Sequence, residues 1–158
     1  MRRLMPALAL AVLAAASAAA ATSPGADLAE AARIIRDEAQ QRADLAATRP
    51  AAPADVIDLD DPLAFDLDQF STDAMRLSIA IDEAGGAIDL RCIFRGMSND
   101  AAARLDALNS AETAADQARV YREIADLMRD ASDIAPAADG EPLPDTLGPP
   151  GSCPAGRE

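Results

Sequence analysis

The chain has no lysine, no histidine and no tryptophan, and all 14 of its basic residues are arginine. Without histidine there is no Ser-His-Asp or Cys-His arrangement. Without lysine there is no Ser-Lys dyad, Schiff base or P-loop lysine, so the common routes to an activated nucleophile are closed. Zinc sites lose their usual nitrogen ligand as well. Aromatic side chains are nearly absent, at three Phe and one Tyr, so a stacking platform for a sugar substrate is lacking. Positive charge is scarce too. A formal net charge of −13 argues against nucleic acid, whose recognition depends on clustered cations, and equally against anionic lipid surfaces. The acidity is accounted for by solubility and by biased residue usage, and it leaves room for a basic partner.

Long hydrophobic runs are confined to the start. Arg2 and Arg3 precede an apolar stretch from Leu4 to about Ala16, and Ala19 to Ala21 offer an A-x-A site. This is the pattern of a Sec signal peptide over residues 1–21. The stretch is Ala-dominated and shorter than the ~20 apolar residues a spanning helix needs, so cleavage near Thr22 and no stable membrane anchor are expected. Export to a secreted or periplasmic location would move Cys92 and Cys153, the two cysteines, into an oxidising compartment that favours a disulfide.

The remainder suits one modest domain. In residues 22–48 the spacing of Leu28, Ala32, Ile35 and Ala39, opened by Asp27-x-x-Glu30, predicts an N-terminal helix over 27–47 with a narrow, mostly alanine stripe that docks loosely. The run RPAAPAD, residues 49–55, reads as a linker. From Val56 to Phe70 the apolar residues Ile57, Leu59, Leu63, Phe65 and Leu67 alternate with aspartates, which predicts a half-buried strand that Pro62 interrupts or places at an edge. Residues 58–69 also resemble a calcium loop. The match fails at Leu63 and Gln69, where that loop needs Gly and Glu, leaving only weak divalent-cation binding by the acidic face of 58–68 as an alternative.

Residues 77–94 read as a hairpin. Leu77, Ile79 and Ile81 alternate on one side of Gly85-Gly86, and Ile88, Leu90, Cys92 and Phe94 on the other. Ser98 or Asn99 then caps a short helix that Asn109-Ser110 breaks. From Ala111 to Ile134, Val120, Ile124, Leu127, Ala131 and Ile134 recur at steps of four and three and predict the main core helix, with Arg119–Glu123, Arg122–Asp126 and Arg129–Asp133 pairs on its wet side. Residues 136–158 hold six prolines and read as an extended tail.

The expected fold is therefore α+β: residues 56–135 form a core domain with a small antiparallel sheet of about three strands over 57–95, and the helices of 99–134 pack on one face. Hairpin parity turns Cys92 inward as a core residue and Arg91 outward. Two states of the thiols stay open: a Cys92–Cys153 disulfide, or a buried Cys92 with Cys153 available for intermolecular pairing. The candidate interaction surface is the sheet's outer face, with Arg76, Asp89, Arg91 and Ile93, or an exposed strand edge. Carboxylate pairs such as Asp82 with Glu83, or Asp60 with Asp61, are the remaining basis for a small hydrolase or an inhibitor of an envelope enzyme. No cofactor or metal ligand set is expected. The leading function is a non-enzymatic accessory protein of the envelope that binds another protein, with its oligomeric state open.

Overall fold

The computed structural model describes residues 23–58, 60–140 and Cys153; the expected signal peptide and most of the Pro-rich tail lie outside them. Four helices follow one another: α1 (Pro24–Ala47), α2 (Pro62–Glu83), α3 (Ile88–Ser110) and α4 (Ala114–Ile134), and a 3-10 turn, Ala135–Asp139, continues α4. The architecture is all-helical. The expected α+β sheet over residues 57–95 is not there: among the described residues the β pairing is one isolated bridge between Pro53 and Thr113.

The segment expected to be the first strand is the start of α2. Pro62 stands at the first helical position, where its missing N–H costs nothing, and the Asp61 carboxylate accepts from the Ala64 N–H at 3.1 Å as N-cap. From there Leu63, Leu67, Phe70, Ala74, Leu77 and Ile81 are buried at steps of four and three, the helical period. Phe65 and Ile79, which the alternation had placed with them, are 63% and 46% exposed.

Gly85-Gly86 ends a helix; it does not turn a hairpin of strands. Gly85 has φ +66°, its N–H donates to the Asp82 carbonyl at 3.0 Å, and the Gly86 N–H donates to the Ile81 carbonyl at 2.8 Å. This pair of bonds is the Schellman arrangement, which needs a left-handed residue just past the last turn. The chain then re-enters a helix at Ile88. Ser98 and Asn99, expected to cap the next helix, lie within α3, which ends at Ser110.

Helix α1 packs along its length on α4, and α2 on α3, while α1–α2 and α3–α4 contacts are sparser. The alanine stripe of α1 does not dock loosely. Leu28, Ala29, Ala32, Ile35, Ala39, Ala43 and Ala46 are all buried, because small side chains let the two backbones approach closely. At the N-terminus of α1 a β-carbon on Gly25 would run into the Ala135 carbonyl oxygen. The core is filled by Phe70, Phe94, Ile35, Leu63, Leu67, Ile124 and Met128. In α4, Val120, Ile124 and Ala131 are buried as expected, while Leu127 and Ile134 pack only partly. Arg119 donates to Glu123 at 3.0 Å, whereas Arg129 takes Asp126 and Asp130.

Candidate functional site

Helix α1 carries Ile34 and Ile35 side by side. Neighbours on a helix diverge by about 100°, so one of them leaves any core stripe. Ile35 is 2% exposed and Ile34 is 58% exposed. Ile34 belongs to the seam between α1 and α2, where the bundle is not closed. A groove of about 410 Å³ opens there, with Leu28, Ala31, Leu77 and Ala80 as its apolar floor and Asp27, Asp73 and Arg76 along its edges. It continues past Ala31 and Asp73 into a second hollow of about 130 Å³, which Ile34, Phe70 and Asp66 line. From Pro24 to Ile35 the two hollows follow α1 for about 16 Å, or three helical turns.

Phe65 and Ile79 on α2 are exposed as well but line neither hollow. Arg76 donates to Asp73 at 2.9 Å across its own helix face.

A second feature closes the far end of the same helix pair. Arg42 donates to Asp61 at 2.6 Å and to Glu38 at 2.7 Å, which ties α1 to the N-cap of α2. Burial works against the Arg42 charge, but the hydrogen bonds to Asp61 and Glu38 outweigh it and hold the guanidinium more firmly protonated than usual. Burial likewise pushes the Asp61 carboxyl up, and the Arg42 guanidinium more than reverses this, holding it below the ordinary carboxylate range. Tyr121, buried beside them, has its phenol raised by burial, against the pull of Arg42.

A hollow of about 220 Å³ lies over this cluster, under the connection between α1 and α2. That connection is fastened by Gln117, which is buried. Its amide accepts from the Asp55 N–H at 2.8 Å and donates to the Asp55 carbonyl at 2.6 Å. Each charge and amide in the cluster is matched by a neighbour, so its chemistry is that of a clamp.

Of the expected interaction residues, Asp89 and Ile93 are one turn apart on α3 and share a helix face, while Arg76 is on α2 and Arg91 is turned inward. Arg76 lies at the groove edge on α2. Asp89 is in the first turn of α3, and Ile93 is 37% exposed on the same helix. Arg91, expected to point outward, is buried between α2 and α3 and donates to Asp82. Helical geometry explains the inversion: residues 91 and 94 share a buried face, whereas strand alternation sets them opposite. Cys92 is correspondingly half-buried, not in the core, and its sulfur lies at disulfide distance from that of Cys153, 61 positions on.

In each carboxylate pair considered from sequence, one member is held by an arginine. Asp61 is committed to Arg42 and Ala64, and Asp82 to Arg91. Asp66 and Asp68, alternate in a strand, diverge by about 200° on α2. Among the described residues no group of three or more His, Cys, Asp or Glu gathers at metal-binding separation, and no helix among them is long and apolar enough to cross a membrane.

The groove was missed in the sequence, although the Ile34-Ile35 doublet signals it. No protein-family model, curated protein or solved structure compared with the chain matches it.

Proposed function

We propose that this is an exported, non-enzymatic accessory protein that acts by holding an amphipathic helix of a partner protein in the α1–α2 groove. The observation that carries the reading is the open apolar seam centred on Ala31, with exposed Ile34 beside it. Both walls are helices whose backbone groups are bonded within themselves, so they offer a guest only side chains. An occupant must satisfy its own backbone, as a helix does. A strand added to a sheet edge, the other mode considered from sequence, has no edge to join among the described residues. Export is supported by the N-terminal pattern of Arg2-Arg3, apolar run and A-x-A, and by a cysteine pair at bonding distance.

The test is binding of a labelled amphipathic helical peptide with uncharged polar flanks, followed by fluorescence anisotropy. Binding is expected, and Ile34→Asp and Ala31→Phe, which charge and fill the groove, are expected to abolish it while far-UV circular dichroism and Tm stay near those of the parent. Equal binding by parent and both variants would remove the groove from the account.

A further inference from the structure

We infer that the leader is the first occupant of the groove. In the uncleaved chain the apolar run from Leu4 to Ala16 lies as a helix between α1 and α2, antiparallel to α1, and the partner is not engaged until cleavage near Thr22 opens the site. The partner's part in this rests on the reading of the α1–α2 groove as a helix-docking site; the leader's part rests on where it is attached. The leader lies outside the described residues, but its point of attachment does not. Ser23 is fixed at the start of α1 by its hydroxyl, which donates to Asp139 at 2.6 Å, and the next residue, Pro24, lines the groove. A leader that leaves Ser23 therefore starts at the groove's mouth. Ser17 to Thr22 supplies more chain than the about two to five residues that join antiparallel helices.

Length and charge agree with this placement. The run is rich in alanine and leucine, the strongest helix formers, and Pro6 falls in its first turn, where proline is tolerated. As a helix it spans about 20 Å, against about 16 Å of groove from Pro24 to Ile35. Arg2 and Arg3 precede the run, so in the antiparallel direction they arrive beyond Ile35. Asp66 stands at that end, about 21 Å along α2 from Ala80. It makes no ion pair among the described residues, whereas Asp73 already holds Arg76. The leader has no acidic residue, and docking it covers Ile34 and the apolar floor. Other occupants fit less well before cleavage. Residues 141–152, EPLPDTLGPPGS, are interrupted by prolines and carry no cation for Asp66. A second copy brings a molecule of net charge −13 to one of the same sign. A free partner competes with a tethered segment whose effective concentration is about millimolar.

The experiment compares the processed protein, purified from an exporting host, with the full chain carrying Ala21→Tyr, which blocks the small-residue cleavage site; both are oxidised. Amide chemical shifts are expected to differ between the two along α1 over residues 24–35 and along α2 over residues 66–80. Differences confined to the residues next to Thr22 overturn the docking of the leader. The labelled amphipathic peptide with uncharged polar flanks is expected to bind the full chain about tenfold or more weaker than the processed protein. Asp66→Asn in the full chain should recover about twofold of that loss, and no recovery overturns the antiparallel placement. Equal affinity for the two forms overturns the inference and leaves the groove reading standing. A processed protein that binds no peptide, with the expected shift differences present, overturns the partner reading and leaves the leader docked. Light scattering that shows the full chain as a dimer overturns the inference, because the leader then sits on a second copy.

Discussion

Asp139 closes the N-terminus of α1 from 114 positions away, receiving the Gly25 N–H at 2.8 Å. Its other carboxylate oxygen takes the Ala26 N–H at 2.8 Å and the Ser23 hydroxyl at 2.6 Å. Ser23 makes no side-chain cap of its own, so the helix borrows its cap from the end of the chain's last described turn. The contact works only because residue 25 has no β-carbon.

Asp139→Ala should therefore lower stability by about 1 kcal/mol, the usual worth of an N-cap. The loss should depend on pH. Burial raises the Asp139 carboxyl, but the Ser23, Gly25 and Ala26 hydrogen bonds outweigh this and place it below its ordinary value. A group lowered on folding stabilises above its unfolded pKa, about 4, and the contribution fades as pH falls through the folded value. Thermal melts of parent and variant are expected to differ at pH 7 and to converge in strong acid.

Gly25→Ala should be costlier than a surface change, about 1–3 kcal/mol, because the new methyl meets the Ala135 carbonyl and cannot be relieved by a side-chain rotation. Urea unfolding measures it. Gly96→Ala, on open space in the middle of α3, is the control and should stabilise by about 0.5–1 kcal/mol.

The Arg42–Asp61 pair is half-buried and joins two helices. Asp61→Asn should cost about 1–3 kcal/mol, because it strips the anionic partner from a guanidinium that is partly withdrawn from water, while an Asn amide oxygen can still cap α2. Arg42→Gln with Asp61→Asn should lose less than the sum of the singles. A double-mutant cycle by chemical unfolding reads that coupling.

The Cys92–Cys153 bond closes a 61-residue span, which on the chain-entropy account corresponds to about 4 kcal/mol. Reduction and either Cys→Ser change should lower Tm to the same extent as one another, with no further effect when both are changed. Intact mass before and after reductant with alkylation shows whether one bond or two free thiols are present, and it reports the expected cleavage near Thr22.

The places where the sequence was legible are those where only one period fits. In α1 and α4 the apolar residues recur at steps of four and three with no competing alternation, and Asn109-Ser110 does mark the end of α3. Residues 56–95 carry two periods at once. Leu63, Leu67, Phe70, Ala74, Leu77 and Ile81 form the helical stripe, but Phe65 and Ile79 complete an alternation with some of the same residues, and an exposed side chain looks no different in sequence from a buried one. The deciding local signals were Asp61-Pro62, an N-cap followed by a first-turn proline, and Gly85-Gly86, which ends helices as readily as it turns hairpins. Reading that segment as strand carried the error to Cys92 and Arg91, whose inward and outward assignments depended on it. For the groove, the Ile34-Ile35 doublet signals that an apolar side chain leaves the core stripe of α1, but not that α2 faces it across an open seam.

The most direct test of the account is amide chemical-shift mapping of the oxidised protein titrated with the amphipathic helical peptide that carries uncharged polar flanks. Perturbations are expected along α1 over residues 24–35 and along α2 over residues 66–80, with α3 and α4 unaffected on their outward faces. Shifts centred on α3 around Ile93, or no shifts at saturating peptide, would contradict it.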